Sequence, residues 1–73
     1  MLRSLTPREQ EVLAVMAEGK SNLGIAQTLL ISQAAVEKYS TAIFRKLAIA
    51  PVSTEHRRVQ AVLMFLRERH GRQ

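Results

Sequence analysis

Two helix-patterned runs, residues 22–30 and 33–47, follow one another with only Ile31 and Ser32 between them. That spacing limits the fold more than any other feature of the chain. Helices joined by so short a turn must cross steeply to share a core, and a steep crossing needs a small residue where the second helix passes the first. Ala26 supplies it. Ile25 and Leu29 before the turn, and Ile31 and Val36 around and after it, supply apolar contacts on both sides. The pattern is that of a helix-turn-helix unit, although another kind of tight helical hairpin shares it. The glycine usual in such a turn is replaced by Leu30.

The flanking sequence is helical as well. Thr6-Pro7-Arg8-Glu9 is a capping box in which Thr6 accepts from the N–H of Glu9 and Glu9 reaches back to the N–H of Thr6. Pro7 stands at the first helical position, where its missing N–H costs nothing. Leu5 is placed to pack near Gln10 or beyond. Val12, Leu13 and Met16 form the inward stripe, and Gly19 ends the helix in a left-handed conformation. The second helix starts at Ser21 or Asn22, and Ser32 caps the third. Pro51 disfavours helix at Ala50. A fourth helix begins after Ser53 or Thr54, with Gly71 closing it. The expected fold is therefore all-α, a single domain over residues 1–73 with helices at about 6–18, 22–30, 33–47 and 54–69.

Composition excludes several functions. The absence of cysteine rules out disulfides, thiolate metal sites and a thiol nucleophile. His56 and His70 stand 14 residues apart with no other ligand arranged near them, so no metal is expected. No phosphate-binding glycine loop, paired carboxylates or nucleophile–base spacing is present, so neither an enzyme nor a cofactor is expected. The longest apolar runs, such as 61–66, are too short to span a bilayer. Charge, in contrast, is informative. Residues 1–37 hold three Lys/Arg against four Glu, whereas residues 38–73 hold eight against two. A basic half suggests a polyanion partner, and a solvated basic surface is the plainer alternative.

At about 100° per residue, Val36, Tyr39, Ser40, Ile43, Phe44 and Leu47 of the third helix fall on one side. Ala34, Glu37, Lys38, Thr41 and Arg45 fall on the other. Small residues let a helix approach a groove floor, and long polar ones reach base edges or phosphates. The fourth helix is apolar on two sides. Val59, Val62, Leu63 and Leu66 form one stripe, expected to face the domain's core. Ala61, Met64 and Phe65 form the other, expected to be a dimerisation surface unless the N-terminal residues 1–5 fold over it.

The order and spacing of Leu5-Thr6-Pro7-Arg8-Glu9, Glu11-Val12-Leu13, Ala17-Glu18-Gly19, Ser21-Asn22, Ile25-Ala26, Leu29, Ile31-Ser32, Val36-Glu37-Lys38 and Ile43-Phe44-Arg45-Lys46-Leu47 resemble the LuxR-type (GerE) helix-turn-helix domain over residues 4–66. The resemblance implies the C-terminal output module of a bacterial transcription regulator, most often a two-component response regulator. Such a module is cytoplasmic and nucleoid-associated. Its third helix would enter the major groove of double-stranded DNA, with Glu37, Lys38 and Thr41 on bases and Ser32, Gln33, Arg45 and Lys46 at phosphates. It also implies a homodimer paired through helix four, and an upstream receiver or sensor domain outside this chain. Four of the seven DNA contacts (Glu37, Lys38, Thr41 and Arg45) also follow from the helical angles alone. The chain departs from the family at Gly24, which replaces an acidic residue and costs the start of helix two about 0.5–1 kcal/mol. Ala34 and Ala35 replace polar residues, and Tyr39 a frequent histidine. A protein-interaction module that reuses the scaffold is the second reading; salt-dependent DNA affinity separates the two.

Overall fold

A computed structural model describes residues 2–70. A 3-10 turn at Leu2–Ser4 leads into four helices: α1 (Pro7–Met16), α2 (Asn22–Leu29), α3 (Gln33–Lys46) and α4 (Thr54–His70), with no strand among the described residues. The expected closure by Gly71 lies outside them.

Each helix starts where a side chain satisfies the open N–H groups of its first turn. The Thr6–Glu9 box is closed in both directions: the Glu9 N–H donates to Thr6 Oγ1 at 3.1 Å and the Thr6 N–H to Glu9 Oε1 at 2.8 Å. Ser21, Ser32 and Ser53 accept from the N–H groups of Gly24, Ala35 and His56. Each such cap is worth about 1 kcal/mol. α1 stops at Met16, two residues short of the expected end, and a turn carries the chain to Gly19, whose φ of +89° is left-handed. Leu5 is buried, and the Gln10 side chain donates to its carbonyl.

The core is one cluster at the meeting point of the helices. Val12 and Leu13 of α1, Ile25 of α2, and Val36 and Ile43 of α3 are wholly buried in it. Ala26 is also buried, as the steep α2–α3 crossing requires. α1 contacts all three other helices, and α3 lies most broadly on α1 and α2.

α4 is rotated by about half a turn from the expected orientation. Ala61, expected outside, is completely buried, and Met64 and Phe65 are half-buried against the core. Of the four residues expected inside, Val62 does pack against the core, whereas Val59, Leu63 and Leu66 are exposed at 57%, 43% and 38%. Ala61 is therefore closed to a partner, while Met64 and Phe65 keep only part of their surface free. The cause is steric: Ala61 is the small residue that lets α4 lie close, as Ala26 does for α2. The N-terminal turn also comes to this side, where Leu2 and Arg3 line a crevice with Gln10, Phe65 and Arg69. Of the three residues of that stripe, only Phe65 shares this crevice, so the cover anticipated as the alternative to dimerisation is seen in part.

Candidate nucleic-acid interface

The outer face of α3 is held in place by contacts on its inner side. Val36, Ser40, Ile43 and Phe44 are buried, which turns Ser32, Gln33, Ala34, Glu37, Lys38, Thr41 and Arg45 outward, all exposed. Ala34, Glu37, Lys38, Thr41, Ala42 and Arg45 line one shallow concavity along the helix. The two alanines keep its floor low. Lys38, Thr41 and Arg45 stand at i, i+3 and i+7, and so in one row along the helix. Ser32 caps the helix through its Oγ, which still has its own proton to donate.

Lys46, expected at a phosphate, makes an ion pair within the fold. Its ammonium lies 2.8 Å from Glu9 Oε1, with the Lys46 side chain 29% exposed and that of Glu9 8%. Its charge neutralises a buried carboxylate and joins the end of α3 to the start of α1. Burial opposes ionisation of Glu9. Hydrogen bonds from Lys46 and from the Thr6 backbone, together with the charge of Lys46, outweigh it and hold the carboxyl below its ordinary value of 4.5.

Two further ties were not foreseen. The Arg58 guanidinium donates to Asn22 Oδ1 at 2.7 Å and to the Lys20 carbonyl at 2.8 Å, fastening α4 to the start of α2. Arg8 donates to the Leu29 carbonyl at 3.1 Å and to Glu11, fastening α1 to the end of α2. The position of Arg58 on the same side of α4 as Ala61 was the available signal. No spacing rule connects Arg8 to a carbonyl 21 residues away, nor Glu9 to Lys46. Among the described residues, no group of three or more His, Asp or Glu side chains is gathered as a metal site needs, and no helix is long and apolar enough to cross a membrane.

Comparison with known proteins agrees with this geometry. The family described as Bacterial regulatory proteins, luxR family, matches residues 3–65. A protein of Mycobacterium bovis and one of Mycobacterium tuberculosis, each named as an HTH-type transcriptional regulator, are both 40% identical over 47 residues. That is 64% of this chain and 5% of each relative. A protein of Pseudomonas aeruginosa named as a transcriptional regulator is 45% identical over 47 residues, 64% of this chain and 23% of its own length. The chain thus matches only a small part of these relatives, and no solved structure matches it significantly. A family match over nearly the whole chain, a helix-turn-helix with its outer helix face bare, and relatives named as transcriptional regulators meet in one conclusion: the chain belongs to the luxR family of bacterial regulatory proteins and is a DNA-binding domain of transcription regulation.

Proposed function

We propose that this domain is the sequence-reading output module of a two-component response regulator, and that it lays α3 in the major groove of an inverted-repeat operator. The observation that carries the proposal is the continuous exposed row on α3, polar where base edges would be and small where the groove floor would be. Lys38 donates to guanine acceptors, Glu37 accepts from a cytosine amine, and Thr41 meets either a base edge or a thymine methyl. Ser32, Gln33 and Arg45 take the flanking phosphates. Two copies pair through the exposed apolar stripe of α4, Val59, Leu63 and Leu66, in place of the buried stripe first expected. The relatives are several-fold longer than their matched segment, which supports a receiver or sensor domain elsewhere in the full protein. The module acts in the cytoplasm, on the nucleoid.

Selection of bound sequences from random duplex DNA tests affinity, half-site spacing and symmetry together. With Arg45 joined by other Lys and Arg of the basic half, about three to five neutralised phosphates per protomer give an expected slope of log K against log salt of about −3 to −5. Lys38→Ala and Thr41→Ala each reduce discrimination between enriched and random duplexes by about 1–3 kcal/mol. Binding that ignores salt, or equal losses on both duplexes for both variants, contradicts the proposal.

A further inference from the structure

Arg57 and Arg58 are neighbours on α4 with unlike surroundings. Arg58 is consumed by Asn22 and the Lys20 carbonyl. Arg57 lies with its Cζ 5.0 Å from the centre of the Phe44 ring, and its Nε–H is buried with no acceptor. A guanidinium presents its donors in a fixed planar fork. A buried donor without an acceptor in the protein is costly and calls for a reason.

The crevice that Arg57 lines gives that reason. It runs between α3 and the start of α4, and Ser40, Thr41, Glu37 and Thr54 line it too. Ser40 is buried, and its Oγ is likewise unpartnered. The two residues that carry these unpartnered atoms therefore line one crevice, and its rim at Glu37 and Thr41 is the flank of the α3 face assigned to the major groove. DNA seated on that face carries a phosphate strand past the crevice.

We propose that Arg57 is a phosphate clamp for the duplex: its terminal N–H groups grip oxygens of a single phosphodiester at the mouth of the crevice, with the buried Nε–H behind them. The Phe44 ring beneath fixes the guanidinium plane before binding, so little side-chain freedom is lost on contact. Ser40 supplies a hydroxyl deeper in the same crevice. Helix α4 thereby contributes to DNA binding in its own right, and positions α3 without reading sequence. The proposal presumes the groove assignment of α3, and the two fail separately: discrimination by Lys38 tests the groove, while the salt slope tests the clamp.

The test uses the whole chain, with Arg57→Met and, as a control for net charge, Arg67→Met about 15 Å further along α4. Arg57→Met is expected to weaken enriched and random duplexes alike, by about tenfold at low salt. It should also make the salt slope shallower by about 0.9, while Arg67→Met changes the slope much less. The NMR signal of the Arg57 Nε–H in the unmutated protein is expected to shift on titration with random duplex, a measurement that does not depend on a variant folding. The clamp is wrong if that signal stays put, if the slope is unchanged in Arg57→Met, or if the loss is confined to one sequence. It is equally wrong if Glu37→Gln moves the Arg57 signal in the free protein, which would show the two side chains paired with each other.

Discussion

Helices α3 and α4 pose the same problem and differ in how openly they answer it. Each is long and must present one side to the core. In α3 the buried side is uniformly apolar apart from Ser40, and the exposed side is polar or small. Angular position alone separates the two. In α4 the buried side carries Ala61, Met64 and Phe65 but also Arg57 and Arg58, whose stems are half-buried, while the exposed side carries Val59, Leu63 and Leu66. Apolar periodicity locates the two sides of such a helix but not which of them is inside. The linkers add to the difference. Residues 30–32 tie α3 tightly to α2, whereas residues 47–53 leave the rotation of α4 to be settled by packing.

The comparison breaks most visibly at Ala61. A domain of this size has a total stability of roughly 4–11 kcal/mol. Ala61→Asp places an unpaired charge in a site with no solvent exposure and is expected to cost about 3–5 kcal/mol, enough to unfold much of the population. Leu63→Asp, two residues on, should change stability by only about 0.5 kcal/mol. It should nevertheless abolish cooperative binding to a duplex with two half-sites. Thermal unfolding followed by circular dichroism separates the pair. If Leu63→Asp unfolds the domain and Ala61→Asp is tolerated, α4 faces the other way.

A second prediction bears on how α3 is held. Glu9→Gln keeps a side-chain oxygen for the Thr6 N–H but removes the charge that receives Lys46, an expected loss of about 1.5–3 kcal/mol. Because the folded carboxyl sits below its unfolded value, the unfolded chain takes up the proton first. The contribution of Glu9 is therefore complete above about pH 4.5 and declines as pH falls through the folded value. Glu9→Gln should flatten the stability profile in that acid range and leave it parallel to wild type near neutrality. Equal acid sensitivity in both proteins would remove the ion pair from the account.

The sequence made the four helices, their serine and threonine caps and the outer face of α3 legible because each is a local matter of spacing or helical angle. The ion pair of Glu9 with Lys46 and the ties made by Arg8 and Arg58 were not legible, since they join residues 21 to 38 positions apart. Lys46 shows the consequence. On the helix it is a cation beside Arg45 and looks equally free to meet phosphate, but only the packed fold brings a buried carboxylate to it. Ala61 differs in kind. The small-residue argument that identified Ala26 as a crossing point applies to it unchanged, but the apolar stripe of Val59, Leu63 and Leu66 masked it.

The smallest effect concerns the turns on either side of α3. Leu30 and Ala48 both have left-handed backbones, with φ of 59° and 57°. The same wide turn accompanies each: Ile31 N–H donates to the Ala26 carbonyl and Ile49 N–H to the Phe44 carbonyl, both at 3.0 Å. A side chain with a Cβ costs about 1–2 kcal/mol in this conformation. Glycine removes that cost but gives back about 0.4–1 kcal/mol through the freedom of the unfolded chain. Leu30 is 90% exposed, so no packing is lost with its side chain. Leu30→Gly should then stabilise the domain by about 0.5–1 kcal/mol, a rise of about 4 °C in Tm. Ala48→Gly should give a similar gain at the link to α4. Neither variant should change discrimination between enriched and random duplexes, because both improve a turn already present. A fall in Tm for Leu30→Gly would mean that the leucine itself orders the α2–α3 turn. A fall for Ala48→Gly alone would mean that stiffness in residues 47–53, and not packing at Ala61, selects the rotation of α4.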